Sequence, residues 1–153
     1  MLHDLLRIKK IREKSAHEAV KRCRYKVEQA VIDLQKKEKA LEDYLQWRKA
    51  EEKRLYDEIM NTQVKERELD LLKRRVVIMR EKDSVLEDDI NKAKEHLTQC
   101  KKELEEAEQL YRKAMQTVEK FETFIEVLDE EAAQEAARAE EAELEEFTPR
   151  NRF

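Results

Sequence analysis

The fold is decided by residues 86–132, LEDDINKAKEHLTQCKKELEEAEQLYRKAMQTVEKFETFIEVLDEEA, where apolar side chains recur at alternating spacings of four and three. The pattern continues for more than six heptads, and no charged residue occupies it. A heptad repeat of this length is typical of a coiled coil, because the apolar stripe must be buried against a partner helix. The stripe consists of Leu86, Ile90, Ala93, Leu97, Cys100, Leu104, Ala107, Tyr111, Ala114, Val118, Phe121, Ile125, Leu128 and Ala132.

The first half of the chain supplies a partner stripe. It contains two heptad series and three neighbouring apolar residues: Val20, Val27, Leu34, Leu41, Arg48 and Leu55; Cys23, Ala30, Lys37, Tyr44 and Glu51; and Val31, Leu45 and Ile59. Because Lys37, Arg48 and Glu51 interrupt this stripe, we expect weaker packing in its distal half. The predicted fold class is all-α, with two long helices in an antiparallel coiled-coil hairpin.

A single domain is predicted, with its turn at the least helix-favouring stretch of the middle region, Asn61-Thr62-Gln63. Helix 1 is expected over 1–60, the turn over 61–66, and helix 2 over 67–146 with an acidic C-terminal overhang. Residues 147–153 are expected to form a frayed tail, since Pro149 stops a helix. Ser84-Val85-Leu86-Glu87 is a capping-box pattern and offers an alternative helix start.

Composition argues against several classes of protein. The chain has 153 residues, of which 46% are charged, and it contains no glycine. Folds and phosphate-binding loops that depend on glycine are therefore disfavoured. The three histidines are scattered through the sequence, so we expect no catalytic residues, no metal and no cofactor. Cys23 and Cys100 fit small core residues better than a disulfide. No apolar run is long enough to insert into a membrane.

Charge is distributed unevenly between the two ends of the chain. Residues 1–26 hold nine basic and three acidic residues, whereas residues 119–153 hold twelve acidic and four basic ones. An antiparallel hairpin brings these two segments together. A basic amphipathic helix could also meet nucleic acid or a membrane surface. The net charge of −4 and the shortness of the basic block argue against nucleic acid.

The coiled coil leaves two apolar clusters unexplained. Extending the heptad of helix 1 backward puts Leu6, Glu13 and Ala16 on the stripe, so Ile8 and Ile11 fall outside it. Either the register shifts locally, or this segment enters another protein whose surface is apolar with an acidic rim. The segment consists of Leu5, Arg7, Ile8, Lys9, Lys10, Ile11 and Arg12.

The second cluster surrounds Trp47. Either Trp47 lies flat over the neighbouring helix, or it belongs to an exposed docking surface, since Trp, Tyr and Arg are enriched at interface hot spots. The cluster consists of Leu41, Tyr44, Leu45, Trp47 and Arg48. The run Val76-Val77-Ile78-Met79 is expected opposite. Four consecutive apolar residues cannot all face one partner helix, so some of them must be exposed or covered by another protein.

Several segments together resemble the central-stalk proteins of bacterial type III secretion systems, namely the injectisome YscO group and, more distantly, flagellar FliJ. The resemblance is carried by Leu2, Leu5 and Arg7, by Asp43-Tyr44-Leu45-Gln46-Trp47-Arg48 with Glu51-Glu52 and Arg54-Leu55-Tyr56-Asp57, by Asn61-Thr62, by Arg80-Glu81-Lys82, and by Glu145-Glu146-Phe147.

This resemblance implies a cytoplasmic, non-enzymatic stalk at the secretion apparatus. Its terminal end would enter the hexameric secretion ATPase through Leu5 to Arg12. Its bend end would contact the export-gate membrane protein through Leu41, Tyr44, Leu45, Trp47 and Arg48, with Val76 and Met79 opposite. Free secretion chaperones are a further implied partner.

Two other functions remain open from the residues alone. The chain could be a passive structural coiled coil, such as a tether or homodimer, or a prefoldin-like protein that holds unfolded clients. The stalk interpretation favours a monomer, whereas the passive interpretation favours parallel dimers of straight helices.

Overall fold

Two long helices make up the computed structural model, which describes residues 1–61 and 65–147. Helix α1 spans Leu2–Met60 and helix α2 spans Glu66–Phe147. The predicted fold class, all-α with two long helices in an antiparallel coiled-coil hairpin, is confirmed. Residues 62–64 of the expected turn and 148–153 of the expected tail lie outside the described residues.

The ends of the helices follow local chemistry. Asp4 lies in the first turn of α1, and Glu66 and Glu68 lie in the first turn of α2, where carboxylates interact favourably with the helix dipole. After α1, the Asn61 amide donates to the Asp57 carbonyl at 3.3 Å. The alternative start at Ser84 is wrong, because α2 is helical without interruption from Glu66.

The chain divides into two compact units. Unit 1 combines Met1–Val20 with the chain from Glu106 onward, and unit 2 is Lys21–Glu105. Each helix therefore contributes residues to both units. Neither helix contains, within the described residues, a stretch long and apolar enough to cross a membrane.

The core of unit 1 follows the heptad. Val20 from α1 is buried with Ala107, Val118 and Ile125 from α2. Burial along α2 ends at the half-buried Leu128, and Ala132, which we expected on the buried stripe, is exposed. Helix α1 begins at Leu2, and α2 runs on past the first turn of α1.

The core of unit 2 contains the small residues of the predicted stripe. The buried residues are Ala30, Leu55, Leu72, Val76, Ile90, Ala93 and Cys100. Cys100 and the half-buried Cys23 are both free thiols. Lys37 was expected to interrupt the stripe, but it is exposed. A long lysine stem lets the ammonium group leave a helix contact and reach water.

Candidate protein-interaction surfaces

The basic segment near the N-terminus keeps the heptad register. Leu6, Glu13 and Ala16 are half-buried, whereas Ile8 and Ile11 are exposed. The alternative of a local register shift is therefore wrong, because a shift would turn these isoleucines toward α2. The structure leaves the apolar side chains of this segment available to another molecule.

The bases of this segment differ in their surroundings. Lys9 is half-buried, with Nζ 5.8 Å from the centre of the Phe121 ring, a weak cation–π contact. Lys10 Nζ lies 3.5 Å from Glu122 Oε1, and both side chains are about half exposed. Arg7 pairs with Asp4 on its own helix at 3.7 Å. Exposed pairs of this kind stabilise a fold by no more than about 1 kcal/mol, so these bases are available for binding.

Four half-exposed apolar side chains lie on one side of unit 1. Their exposed fractions run from 43% to 53%. The Lys10–Glu122 ion pair marks one side of the contact between α1 and α2. At 3.6 residues per turn, these four side chains lie off the stripe on the other side of each helix. We call them the terminal apolar face: Leu5, Ile8, Phe124 and Val127.

Half of this face was missed by the sequence analysis. Phe124 and Val127 fall outside the heptad of α2 and are three residues apart, which makes them neighbours on a helix surface. That spacing was a visible signal. Their position beside Leu5 and Ile8 depends on the register between α1 and α2, which the sequence alone does not give.

The last part of α2 extends beyond the partner helix. Every residue from Asp129 to Phe147 is helical and exposed. This segment, which we call the acidic overhang, holds nine acidic residues and one basic residue, Arg138. Glu140, Glu143, Leu144 and Phe147 line a shallow groove along it.

In unit 2, part of the predicted Trp47 cluster is exposed and part is buried. Trp47 is 52% exposed and stacks obliquely on Tyr44, with ring centres 5.6 Å apart. The Tyr44 hydroxyl donates to the Met79 carbonyl at 2.7 Å, and burial raises the pKa of Tyr44. Leu41 and Leu45 are half-buried. Trp47 therefore presents much of its indole to solvent.

The run Val76-Val77-Ile78-Met79 divides between core and surface. Val76 is 5% exposed and belongs to the core, so it cannot be part of a docking surface. Met79 is half-buried, whereas Val77 and Ile78 are exposed. The expectation that the four could not all face the partner helix is confirmed. The heptad position of Val76 on α2 explains its burial.

Lys82 and Ile78 complete an exposed surface with the two aromatic rings. Lys82 Nζ lies 4.9 Å from the centre of the Tyr44 ring, and Ile78 is one helical turn before Lys82. We call this surface the aromatic face: Tyr44, Trp47, Ile78 and Lys82. Lys82 had no signal in the sequence that marked it as part of a docking surface, and Ile78 was not distinguished there from its apolar neighbours.

Arg48 was predicted as a docking residue, and the structure gives it a network within unit 2. Its guanidinium makes two bonds to Asp83, from Nε and Nη2, both 3.0 Å long. Nη1 donates to Glu52 at 2.9 Å, and Arg80 Nε donates to the same Glu52 carboxylate at 3.1 Å. The side chains of Arg48, Glu52 and Asp83 are only 12–18% exposed. Arg48 is thus turned inward.

The network shifts the pKa values of Glu52 and Arg48 in the direction of ionisation. Hydrogen bonds from Arg80 and then Arg48 lower the pKa of the Glu52 carboxyl, against the opposing effect of burial. The hydrogen bond to Glu52, together with that to Asp83, raises the pKa of Arg48. The spacing of Arg48 and Glu52 indicated a helical pair. Asp83 and Arg80 had no local signal because they come from α2.

Among residues 1–61 and 65–147, no group of three or more His, Cys, Asp or Glu side chains could hold a metal ion.

Comparison with known proteins gives two matches. A family model described as type III secretion protein YscO matches residues 2–150. The crystal structure of type III secretion protein YscO from Vibrio parahaemolyticus is 33% identical, with a TM-score of 0.88. The match covers 96% of this chain and 92% of that one. No curated protein sequence matches.

Proposed function

The chain belongs to the YscO family of type III secretion proteins, and from this premise we propose that it is a non-enzymatic stalk that links the hexameric export ATPase to the export gate. The observation that carries the proposal is that each unit exposes its own apolar surface. The terminal apolar face lies in unit 1, and the aromatic face lies in unit 2. Two surfaces of different character suit an adaptor with two partners.

The terminal apolar face and the basic segment beside it form the ATPase-binding surface. Soluble monomers rarely expose contiguous apolar side chains unless they bind something. The face includes Leu5 and Ile8 of the predicted segment, and Ile11, Arg7 and Arg12 extend the same surface. An apolar centre with basic neighbours fits an apolar recess on the ATPase with an acidic rim.

The aromatic face is the surface for the export gate, and free secretion chaperones are a second class of partner for it. Trp47 supplies a large, half-exposed side chain of the type that dominates interface energetics. Tyr44 holds Trp47 in place through ring contact and is itself fixed by its hydrogen bond to Met79. Pre-organised aromatic side chains lose little entropy when a partner binds.

The Arg48 network supports the mechanical part of the proposal. It fixes α1 against α2 in one register, since its bidentate pair with Asp83 forms in only one alignment of the two helices. A stalk must transmit position between partners without sliding of its helices. The proposed partners put the protein at the cytoplasmic face of the secretion apparatus, with the monomer as its working form.

The test is to mix the chain with its cognate export ATPase and to measure ATP hydrolysis and hexamer assembly. We expect stimulation by the wild type and at least about a tenfold loss of apparent affinity for the double variant Ile8→Glu with Phe124→Glu. Circular dichroism of the variant should show unchanged helicity, because both positions are exposed. Absence of stimulation by the wild type would refute the proposal.

Two control variants separate the surfaces. Ile32→Glu makes the same kind of change at an exposed aliphatic position of α1 in unit 2, and it should stimulate the ATPase normally. Trp47→Ala should also stimulate normally but should lose binding to the cytoplasmic domain of the export gate. Loss of ATPase stimulation in Trp47→Ala would contradict the assignment of separate surfaces.

A further inference from the structure

Helix α2 continues past its last half-buried residue. Leu128 is the last half-buried residue, and beyond it alanines recur at helical spacings at Ala132, Ala136 and Ala139, with Glu143 at the next such position before Phe147. The nineteen residues from Asp129 to Phe147 form about 28 Å of exposed helix. Helices in proteins owe most of their stability to packing of an apolar stripe. The acidic overhang carries a short row of alanines on this side, and all of its residues are exposed.

The acidic overhang and the terminal apolar face have opposite charge. Arg12 lies one turn after Ile8, and Lys120 lies one turn before Phe124, so exposed bases flank the face on both helices. The overhang carries nine acidic residues, two of which, Glu140 and Glu143, line its groove with Phe147. An acidic helix with an apolar stripe is the complement of an apolar face with basic flanks.

The overhang cannot cover this face within one molecule. Phe124 and Val127 lie on the same uninterrupted helix as the overhang, which runs straight on to Phe147. A continuous helix cannot fold back on its own preceding turns. An overhang that covers the face must therefore come from a second copy.

We infer that the free chain forms a two-fold symmetric dimer in which the acidic overhang of each copy packs against the terminal apolar face of the other. The contact is isologous, so it closes after two copies and does not propagate into a filament. The inference departs from the monomer expected from the sequence and rests on unit 1 alone. Combined with the proposed function, it means that the free protein covers its ATPase-binding surface with itself until the ATPase displaces the second copy.

Sedimentation equilibrium of the full chain over a wide range of concentration tests the inference without any ATPase. We expect a monomer–dimer equilibrium that weakens as salt is raised, because the contacts between the overhang and the flanking bases are exposed and screened. A wild-type chain that stays monomeric at every concentration in low salt would overturn it. Failure of ATPase stimulation would leave this result unaffected, so the two proposals can fail separately.

Charge-swapped variants identify the contact. The variant Arg12→Glu with Lys120→Glu makes the flanks acidic, and the variant Glu140→Lys with Glu143→Lys places two lysines in the groove of the overhang. We expect each alone to dimerise at least about tenfold more weakly than the wild type. An equimolar mixture should recover the dimer, because the two lysines in the groove of one variant meet the acidic flanks of the other, and the remaining contact is native.

The matched control is Lys14→Glu with Lys21→Glu. Lys14 and Lys21 follow Lys10 by one and three turns, on the side of α1 away from the terminal apolar face. Their replacement changes the net charge by the same amount as Arg12→Glu with Lys120→Glu. This control should dimerise like the wild type. If the mixture failed to form the dimer, or if the control weakened dimerisation as much as the charge-swapped variants do, the inference would be overturned. Binding of the wild type to anionic vesicles without dimer formation would assign the face to a lipid surface instead.

Discussion

Units 1 and 2 hold the same two helices together with different chemistry. In unit 1 the ion pair between α1 and α2, Lys10 with Glu122, is about half exposed and lies beside an apolar core. In unit 2 Arg48 enters the contact itself, where Asp83 and Glu52 neutralise it. The contribution of a charged side chain to the free energy of unfolding therefore depends on its position relative to the buried stripe. An ion pair contributes little to the free energy of unfolding at the edge of the helix contact and much more inside it.

The largest expected effect is that of Arg48→Ala. It leaves two mostly buried carboxylates, Asp83 and Glu52, without their common partner, and we expect a loss of about 2–3 kcal/mol in the free energy of unfolding. Urea denaturation followed by circular dichroism measures it. Arg48→Lys keeps the charge but cannot make the bidentate pair, so an intermediate loss is expected. A loss below about 0.5 kcal/mol for Arg48→Ala would show that the network contributes as little as a surface pair.

A smaller effect on the free energy of unfolding is expected for Glu52, and it depends on pH. The folded-state pKa of Glu52 is lowered, so its stabilising contribution is present above the ordinary glutamate pKa of about 4.3 and is lost as the pH falls through the lowered value. Glu52→Gln should cost about 1 kcal/mol at neutral pH. The difference between wild type and variant should shrink as the solution is acidified below about pH 4.

Thermal unfolding at a series of pH values measures this difference. Glu38→Gln, at an exposed position of α1, is the matched control for removal of one carboxylate. If the gap between wild type and Glu52→Gln stayed constant from neutral to strongly acidic pH, the network would not titrate through Glu52.

The smallest effect is expected in unit 1. Lys10→Ala removes one half of an exposed ion pair and should change the free energy of unfolding by less than about 0.5 kcal/mol. The same denaturation experiment detects any larger change. A loss as large as that of Arg48→Ala would remove the distinction between the two units.

The heptad was sufficient to predict the helices and most of the core. The stripe from Leu86 to Leu128 is buried or half-buried along its whole length, because alternating spacings of four and three leave a helix only one apolar side. The stripe was extended too far at Ala132. Its end depends on where α1 begins and on the register between the helices, and neither is written in the spacing of α2.

Pairs that cross between helices were the part that could not be predicted. Arg48 on the buried stripe needed a counter-charge, but several acidic residues of α2 were equally plausible from the sequence. The choice of Asp83 follows from the register. The same is true of the terminal apolar face, where Phe124 joins Ile8. Within α2, Val76 lies in the core whereas Ile78, two residues later, lies on the surface.

The buried thiol of Cys100 gives the molecule a built-in probe of helix separation. Its side chain is 3% exposed and lies 3.6 Å from the ring of His96, whereas Cys23 is half-buried in the same unit. A thiol reagent can reach Cys100 only when α1 moves away from α2, so its rate of labelling counts local opening events. Separation of the two helices under load can thus be timed by thiol labelling of the wild-type chain, without an introduced cysteine.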